Sequence, residues 1–189
     1  SVACASETPV AASPPWSAHG SLQVSENGRY FVFEGGTPFV WIGDTVWGMT
    51  EWLPREDVDL YLDDRMQKGV NVIQLCVLWG KRHEDPVRFY ANAPNAYGHR
   101  ALRTTGGIPD PAKPAIVPGG SPHSPNDYWD HVEYVLRAAE SRGMYVALLP
   151  VWGRRYVNAT HSGASVALFD DENARAYGEF LGERFRSHP

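Results

Sequence analysis

The chain has 189 residues, of which 43% are hydrophobic, and it carries a formal net charge of -5. This composition suits one folded domain with an apolar core rather than a disordered chain. The basic residues are interspersed with acidic ones, which excludes the clustered positive charge that nucleic-acid binding requires. No stretch is apolar over the roughly 18 positions that a membrane-spanning helix needs. The composition therefore favours a neutral or weakly charged ligand.

The N-terminus differs in composition from the rest of the chain. Residues 1–15 are small and rich in alanine and proline, as at the end of a secretory signal followed by a spacer. We therefore predict a secreted or periplasmic protein in which residues 1–19 are a leader remnant and linker. Cys4 is a candidate for a lipid anchor at the cell surface, although Ser1 stands where such a signal usually carries an aliphatic residue.

A hairpin and a strand are the first predicted elements. Residues 20–34 alternate apolar and polar positions on both sides of Asn27-Gly28, a dipeptide typical of tight hairpin turns. Residues 39–45, FVWIGDT, form an apolar run that ends in a carboxylate. This run predicts a buried strand with Asp44 at its end, where chemistry is expected.

Helices and strands then alternate along the chain. Pro54 and the acidic residues that follow it indicate a helix start, and Gly69 and Gly143 indicate helix ends. Periodicity predicts helices over 54–69, 127–142 and from Asp170 or Asp171 to Phe185, and strands over 71–78 and 144–151. Residues 81–126 are too long and too rich in proline for an ordinary connection, which indicates an ordered binding loop or a short subdomain.

This order of elements predicts an α/β fold with a parallel sheet. A doubly wound sheet is one solution. The N-terminal portion of a (β/α)8 barrel is favoured, because the long loops follow the strands at their carboxyl ends, where such barrels place their sites. A complete barrel needs about 250 residues, so we predict that 20–189 is a truncated barrel domain of about three strand-helix units. A small complete α/β domain is the alternative.

Three sequence segments together resemble the apiosidase-like glycoside hydrolase family. They read GSLQVSENGRYF, GTPFVWIGDTVWGM and YLDDRMQKGVNVIQ, and the resemblance covers residues 20–189 in order. It implies a (β/α)8 barrel, secretion by carbohydrate-degrading bacteria, and hydrolysis of glycosidic bonds in plant cell-wall or related polysaccharides. It also implies that the two catalytic carboxyl groups follow the fourth and a later strand, beyond the end of this chain. The catalytic residues are therefore unknown, and the fragment alone is expected to be inactive.

Aromatic residues at the strand ends are the best candidates for binding a carbohydrate substrate. Trp47, Trp52, Trp79 and Trp152 fall at or just beyond these ends, and an indole offers a flat apolar face and a polar N–H to a sugar ring. The alternative is that they wall the barrel mouth or pack beneath loops.

Four polar residues near the strand ends complete the predicted site. Asp44 is expected to bind sugar hydroxyls, or else to cap a turn or pair with an arginine such as Arg154. Gln74 either reaches a ligand hydroxyl or satisfies buried polar groups. Arg154 and Arg155 suit an acidic sugar through bidentate hydrogen bonds. The predicted substrate-binding set is Asp44, Trp47, Gln74, Trp79, Trp152 and Arg154.

The sequence indicates neither a metal site nor a cofactor. His83, Glu84 and Asp85 are adjacent in the chain and do not present a ligand set on one face, so we expect a solvated loop there. A nucleotide-binding domain is disfavoured, because no GxGxxG turn follows the first strand. Two hypotheses remain: the N-terminal part of a glycoside hydrolase, and a non-catalytic carbohydrate-binding or cell-surface module.

Overall fold

A computed structural model describes residues 14–82, 89–90, 92–153 and 167–189. The chain divides into two compact units, residues 1–40 and residues 41–189. Among the described residues no helix is long and apolar enough to cross a lipid bilayer.

The first unit contains a short helix and a small antiparallel sheet. Helix α1 (Pro15–His19) precedes β1 (Leu22–Val24), β2 (Phe31–Phe33) and β3 (Pro38–Phe39), which pair in the order β1-β2-β3. The predicted hairpin is confirmed, but its connection is longer than a tight two-residue turn. The Ser25 amide donates to the Tyr30 carbonyl across this loop, and the Ser25 hydroxyl accepts from the amides of Arg29 and Tyr30.

The second unit is built on a three-stranded parallel sheet. Its strands β4 (Gly43–Thr45), β5 (Val72–Leu78) and β10 (Tyr145–Val151) lie in the order β10-β5-β4. Both neighbours of the central strand are parallel to it, so the predicted parallel α/β arrangement is confirmed for this unit. Every residue of β5 except Gln74 is buried, as expected for a central parallel strand.

The apolar run FVWIGDT is not one buried strand, which corrects the sequence expectation. Phe39 ends β3 in the first unit, and β4 begins only at Gly43 in the second. Between them Val40, Trp41 and Ile42 are exposed. The hydrophobic run therefore joins two different sheets, and its exposed middle is a connection rather than a core strand.

Three long helices accompany the parallel sheet. They are α3 (Arg55–Gln67), α4 (Tyr128–Glu140) and α5 (Asp171–Phe185), close to the predicted positions. Asp127 caps α4, because its carboxylate accepts from the amides of Trp129 and Asp130. Asp170 caps α5 in a reciprocal capping box with Asn173. A short helix, α2 (Met49–Trp52), was not predicted; it lies between β4 and α3.

All three long helices contribute to the core on one face of the sheet. Ile73 and Leu75 of β5 belong to a buried cluster with residues of α3 and α4. Val77, on the same face by strand alternation, belongs to a second cluster with residues of α4 and α5. The side chains of residues 73, 75 and 77 therefore mark the helix-covered face of the sheet.

The described parts of the long segment after β5 contain two antiparallel strand pairs. Strands β6 (Lys81–Arg82) and β7 (Phe89–Tyr90) pair antiparallel, as do β8 (Leu102–Thr105) and β9 (Ile108–Pro114). The second hairpin is anchored at its start, where the buried Asn92 side chain binds both the amide and the carbonyl of Leu102. The indole N–H of Trp129, on α4, donates a hydrogen bond to the Ala101 carbonyl. The segment is therefore a small subdomain tied to the helices.

A buried histidine makes the stability of this unit sensitive to acid. His131 of α4 has no solvent exposure and lies between the rings of Tyr97 and Tyr134, with Arg55 on the adjoining helix. Burial disfavours the imidazolium form, and the positive charges of Arg55 and His99 add to this effect, so the pKa of His131 falls from 6.5 to about 4.

We expect His131→Phe to reduce the loss of stability in mild acid. Because the folded state binds this proton less readily than the unfolded state does, the fold is at its most stable above the unfolded pKa. This stability is lost as the pH falls through the folded value. The wild type should therefore lose about 3 kcal/mol between pH 6.5 and pH 4 on account of this residue, and the phenylalanine variant should not. Urea unfolding across this pH range measures the difference, and parallel pH profiles for the two proteins would contradict the assignment.

Candidate functional site

Four indole rings form one aromatic cluster in the second unit. The rings of Trp47 and Trp79 are stacked with centroids 5.8 Å apart and planes inclined by 13°. Trp152 lies 4.8 Å from Trp79 and 5.2 Å from Trp47, centroid to centroid, at oblique angles. Trp52 meets the edge of Trp79 at 6.4 Å. We call these four residues the tryptophan cluster.

The cluster lies where the three parallel strands end. Trp79 directly follows β5 and Trp152 directly follows β10. The ladder continues past β4, since the Cys76 amide donates to the Trp47 carbonyl, and the Trp152 amide donates to the Leu78 carbonyl. Parallel strands bring their carboxyl ends to one edge of a sheet, so residues far apart in sequence meet there. Trp47, Trp79 and Trp152 thus stand just past the strand ends, as read from the sequence, and their role in binding a sugar stays a prediction.

Helix α2 brings the fourth ring to the cluster. Trp52 is 48% exposed and folds back over Gly48, where a Cβ would lie 2.6 Å from its ring. Any side chain at position 48 would therefore displace the indole. The absence of a side chain allows this close approach of the ring, and the backbone does not itself call for glycine, because its φ of -98° is accessible to other residues.

Two adjacent residues of α2 attach this helix to the end of β5. Thr50 is fully buried, and its hydroxyl lies 3.4 Å from the carbonyl oxygens of Cys76 and Val77. Glu51 is 3% exposed, and its Oε1 accepts from the backbone amides of Trp79 and Gly80, both at 2.9 Å. Sequence reasoning missed both residues, because they lie in a four-residue helix with no periodicity to mark them.

Gln74 lies on the face of the sheet opposite the helices. It is paired in register with Thr45 of β4 and Ala147 of β10. The preceding residue, Ile73, faces the helices, so Gln74 faces the other way. Trp47 lies two residues after Thr45, beyond the end of β4. The side chain of Gln74 is half-buried. Gln74 therefore faces away from the helices, as a binding role for it requires.

Asp44 is directed away from that face. It is paired in register with Ile73, on the helix side, and its Oδ2 accepts from the Tyr61 hydroxyl of α3 at 2.9 Å. The guanidinium of Arg65, one turn further along α3, forms an ion pair with the same carboxylate. The structure thus places Asp44 in an arginine pair of the kind considered from the sequence, with Arg65 as the partner instead of Arg154.

The surroundings of Asp44 favour its ionised form. Partial burial would raise the pKa of this carboxyl group, but hydrogen bonds from Tyr61 and the Thr45 amide and the charge of Arg65 outweigh it, so the pKa lies below its ordinary value. The carboxylate therefore connects β4 to α3 and is not available to the tryptophan cluster.

The remaining candidates fall outside the described residues. Arg154 and Arg155, and the group His83, Glu84 and Asp85, are in this category. Their roles stay predictions. Within the described residues, no group of three or more histidine, cysteine, aspartate or glutamate side chains is arranged to hold a metal ion.

A parallel α/β unit that gathers partly buried aromatic rings at the carboxyl edge of its strands has the organisation of a glycosidase-type catalytic domain. The family model of the apiosidase-like catalytic domain matches residues 25–189, and the chain belongs to this family. No curated protein matches the chain significantly.

Solved structures agree with this assignment. A glycoside hydrolase is 34% identical, with a TM-score of 0.71, and the match covers 93% of this chain and 33% of that one. A structure described as a glycoside hydrolase family 5 protein from Bacteroides vulgatus ATCC 8482 is 33% identical, with a TM-score of 0.70 and coverage of 93% and 32%. An endo-1,4-beta-mannanase from Rhizomucor miehei, 12% identical with a TM-score of 0.51 and coverage of 86% and 40%, shares the fold alone. The chain spans about a third of the length of the first two structures.

We expect Asp44→Asn to lower stability at neutral pH and to flatten the acid limb of the stability profile. The folded-state pKa of Asp44 is depressed, so its contribution is present above the unfolded value and is lost as the pH falls through the folded one. The unfolding free energy from pH 7 to pH 3, determined by urea titration, measures this. Asp57→Asn, an exposed carboxylate on the same helix as Arg65, is the control and should follow the wild type. A loss in the control as large as that in Asp44→Asn would refute a specific role for the ion pair.

Proposed function

We propose that this chain forms the first three strand-helix units of a (β/α)8 barrel in a secreted glycoside hydrolase. The observation that carries the proposal is the tryptophan cluster at the carboxyl edge of three parallel strands, the edge at which such barrels bind their substrates. Membership of a catalytic-domain family supports hydrolysis as the reaction.

The position of the helices supports a barrel over a doubly wound sheet. Helices α3, α4 and α5 all contribute to the core on the face marked by residues 73, 75 and 77. A doubly wound sheet carries helices on both faces, whereas a barrel carries them only outside. The face of Gln74 would then line the barrel interior, with Trp47 at its mouth.

The proposed binding cleft is lined by aromatic rings and one amide. Trp47, Trp52, Trp79 and Trp152 offer apolar faces to sugar rings, and Gln74 offers an amide to their hydroxyl groups. Asp44 is left out of the cleft because Arg65 and Tyr61 hold it on the helix side. Arg154 remains a proposed contact for an acidic sugar.

The catalytic acid and nucleophile are proposed to come from later strands of the barrel. Glycosidases use two carboxyl groups that flank the scissile bond. The two carboxylates described near this edge already have structural partners, since Asp44 pairs with Arg65 and Glu51 binds two backbone amides. The proposed substrates are plant cell-wall polysaccharides or oligosaccharides, with export of the protein and lipid attachment at Cys4 as further proposals.

Expression of the full-length gene product tests this function. We expect it to hydrolyse members of a panel of nitrophenyl glycosides and cell-wall oligosaccharides, including apiose-containing ones. Binding of these sugars without any hydrolysis would instead support the non-catalytic carbohydrate-binding module. Neither binding nor hydrolysis across the panel would refute both.

Within the same protein, we expect Trp47→Ala and Trp152→Ala each to raise KM about tenfold. Stacking of a sugar on an indole is present in the ground state and the transition state alike, so its loss should change KM far more than kcat. Trp16→Ala, which removes a half-buried indole of α1 in the first unit, is the matched control and should leave both constants unchanged. Steady-state kinetics on the best substrate decides, and an equal effect in the control would contradict a role for the cluster.

A further inference from the structure

The turn after β5 depends on a side chain from a different element. Trp79 and Gly80 directly follow the end of β5. The backbone amides of both residues donate to a single carboxyl oxygen, Glu51 Oε1, at 2.9 Å. Gly80 adopts a φ of +82°, a left-handed conformation that turns the chain sharply at this point. Glu51 therefore fixes the backbone geometry of the residue that carries the central indole.

The position of Glu51 is itself fixed from two sides. Its neighbour Thr50 contacts the carbonyl groups of Cys76 and Val77 in the last part of β5. Helix α2 therefore contacts β5 through Thr50 and the two residues after β5 through Glu51. The other neighbour, Trp52, places its ring edge against Trp79. A carboxyl oxygen held in this way acts as a rigid acceptor for the two amides.

We propose that Glu51 is a positioning residue of the carbohydrate cleft, which holds Trp79 in register with Trp47 and Trp152 and so sets the shape of the sugar-binding surface. This inference rests on the proposed function. It gives a role to a buried acid beside the site that is distinct from catalysis, since the oxygen described here is directed at backbone amides. Trp79 touches all three other rings of the cluster, so a shift of its backbone would disturb every contact in it.

The orientation of the rings provides a spectroscopic readout that general loss of stability does not mimic. Indoles in contact at oblique angles couple their electronic transitions and give a paired positive and negative band in circular dichroism. The rings of Trp79 and Trp152 lie 4.8 Å apart at 66°, a geometry suited to this coupling. The band reports the mutual orientation of the rings directly, whether or not the protein hydrolyses a sugar.

The test compares Glu51→Ala, Glu51→Gln and Glu56→Ala in the full-length gene product. Glu56 is an exposed acid in the first turn of α3 and serves as the matched control. We expect Glu51→Ala to lose the part of the coupled band that involves Trp79, leaving that of the Trp47–Trp152 pair, and to raise KM five- to tenfold, at unchanged kcat, on the nitrophenyl glycoside that the wild type hydrolyses fastest. Glu51→Gln keeps an oxygen acceptor and should retain part of the band and part of the affinity, and Glu56→Ala should match the wild type.

Two results would overturn the inference. The first is an unchanged coupled band in Glu51→Ala, which would show that the ring positions do not depend on the carboxylate. The second is loss of the Trp79 part of the band with an unchanged KM, which would show that ring order does not affect the substrate. If Glu51→Ala does not fold, Glu51→Gln decides by the same criteria. If the wild type hydrolyses no glycoside, the proposed function fails, and the band alone then decides whether Glu51 positions Trp79.

Discussion

The parallel pairing of β5 with β4 and β10 is the constraint on which the rest of the second unit depends. It fixes the register that puts Gln74 beside Thr45 and Ala147, and it brings the carboxyl ends of three strands to one edge. Hydrogen bonding between the backbones continues to Trp47 and Trp152. The indoles are therefore gathered by the backbone ladder, and the aromatic contacts follow from it.

The same register separates the side chains that face the helices from those that face the proposed cleft. On the helix-covered row, Asp44 lies beside Ile73 and is held by Arg65 and Tyr61. One residue later, Gln74 lies on the opposite face, beside Thr45. A change of one position along a strand thus moves a polar group from the helix interface to the proposed cleft.

Features carried by local patterns were predictable from the sequence. The long helices α3, α4 and α5 and the strands β5 and β10 follow from apolar periodicity and from capping residues such as Asp127 and Asp170. The position of Trp47, Trp79 and Trp152 at one edge follows as well, because each stands just after a strand and parallel strands share an edge, whereas Trp52 reaches the cluster from α2. The face of Asp44 was not predictable, since an isolated carboxylate carries no sign of which side of a three-residue strand is covered.

Features that depend on pairing between distant residues were missed. Hydrophobicity alone could not show that FVWIGDT divides between two sheets, because the exposed Val40, Trp41 and Ile42 are as apolar as core residues. Nor could it show that Glu51, in a helix of one turn, binds amides almost thirty positions further along the chain. Both features arise from contacts that have no counterpart in local spacing.

The position of Trp52 over Gly48 has a consequence for how such a cleft diversifies. The ring lies directly on a glycine backbone, so the bulk of the residue at 48 sets how far the indole projects from the strand ends. Substitution there would displace the indole that forms one wall of the proposed cleft. Position 48 is therefore a point at which a change of sequence would alter the shape of the proposed sugar-binding surface.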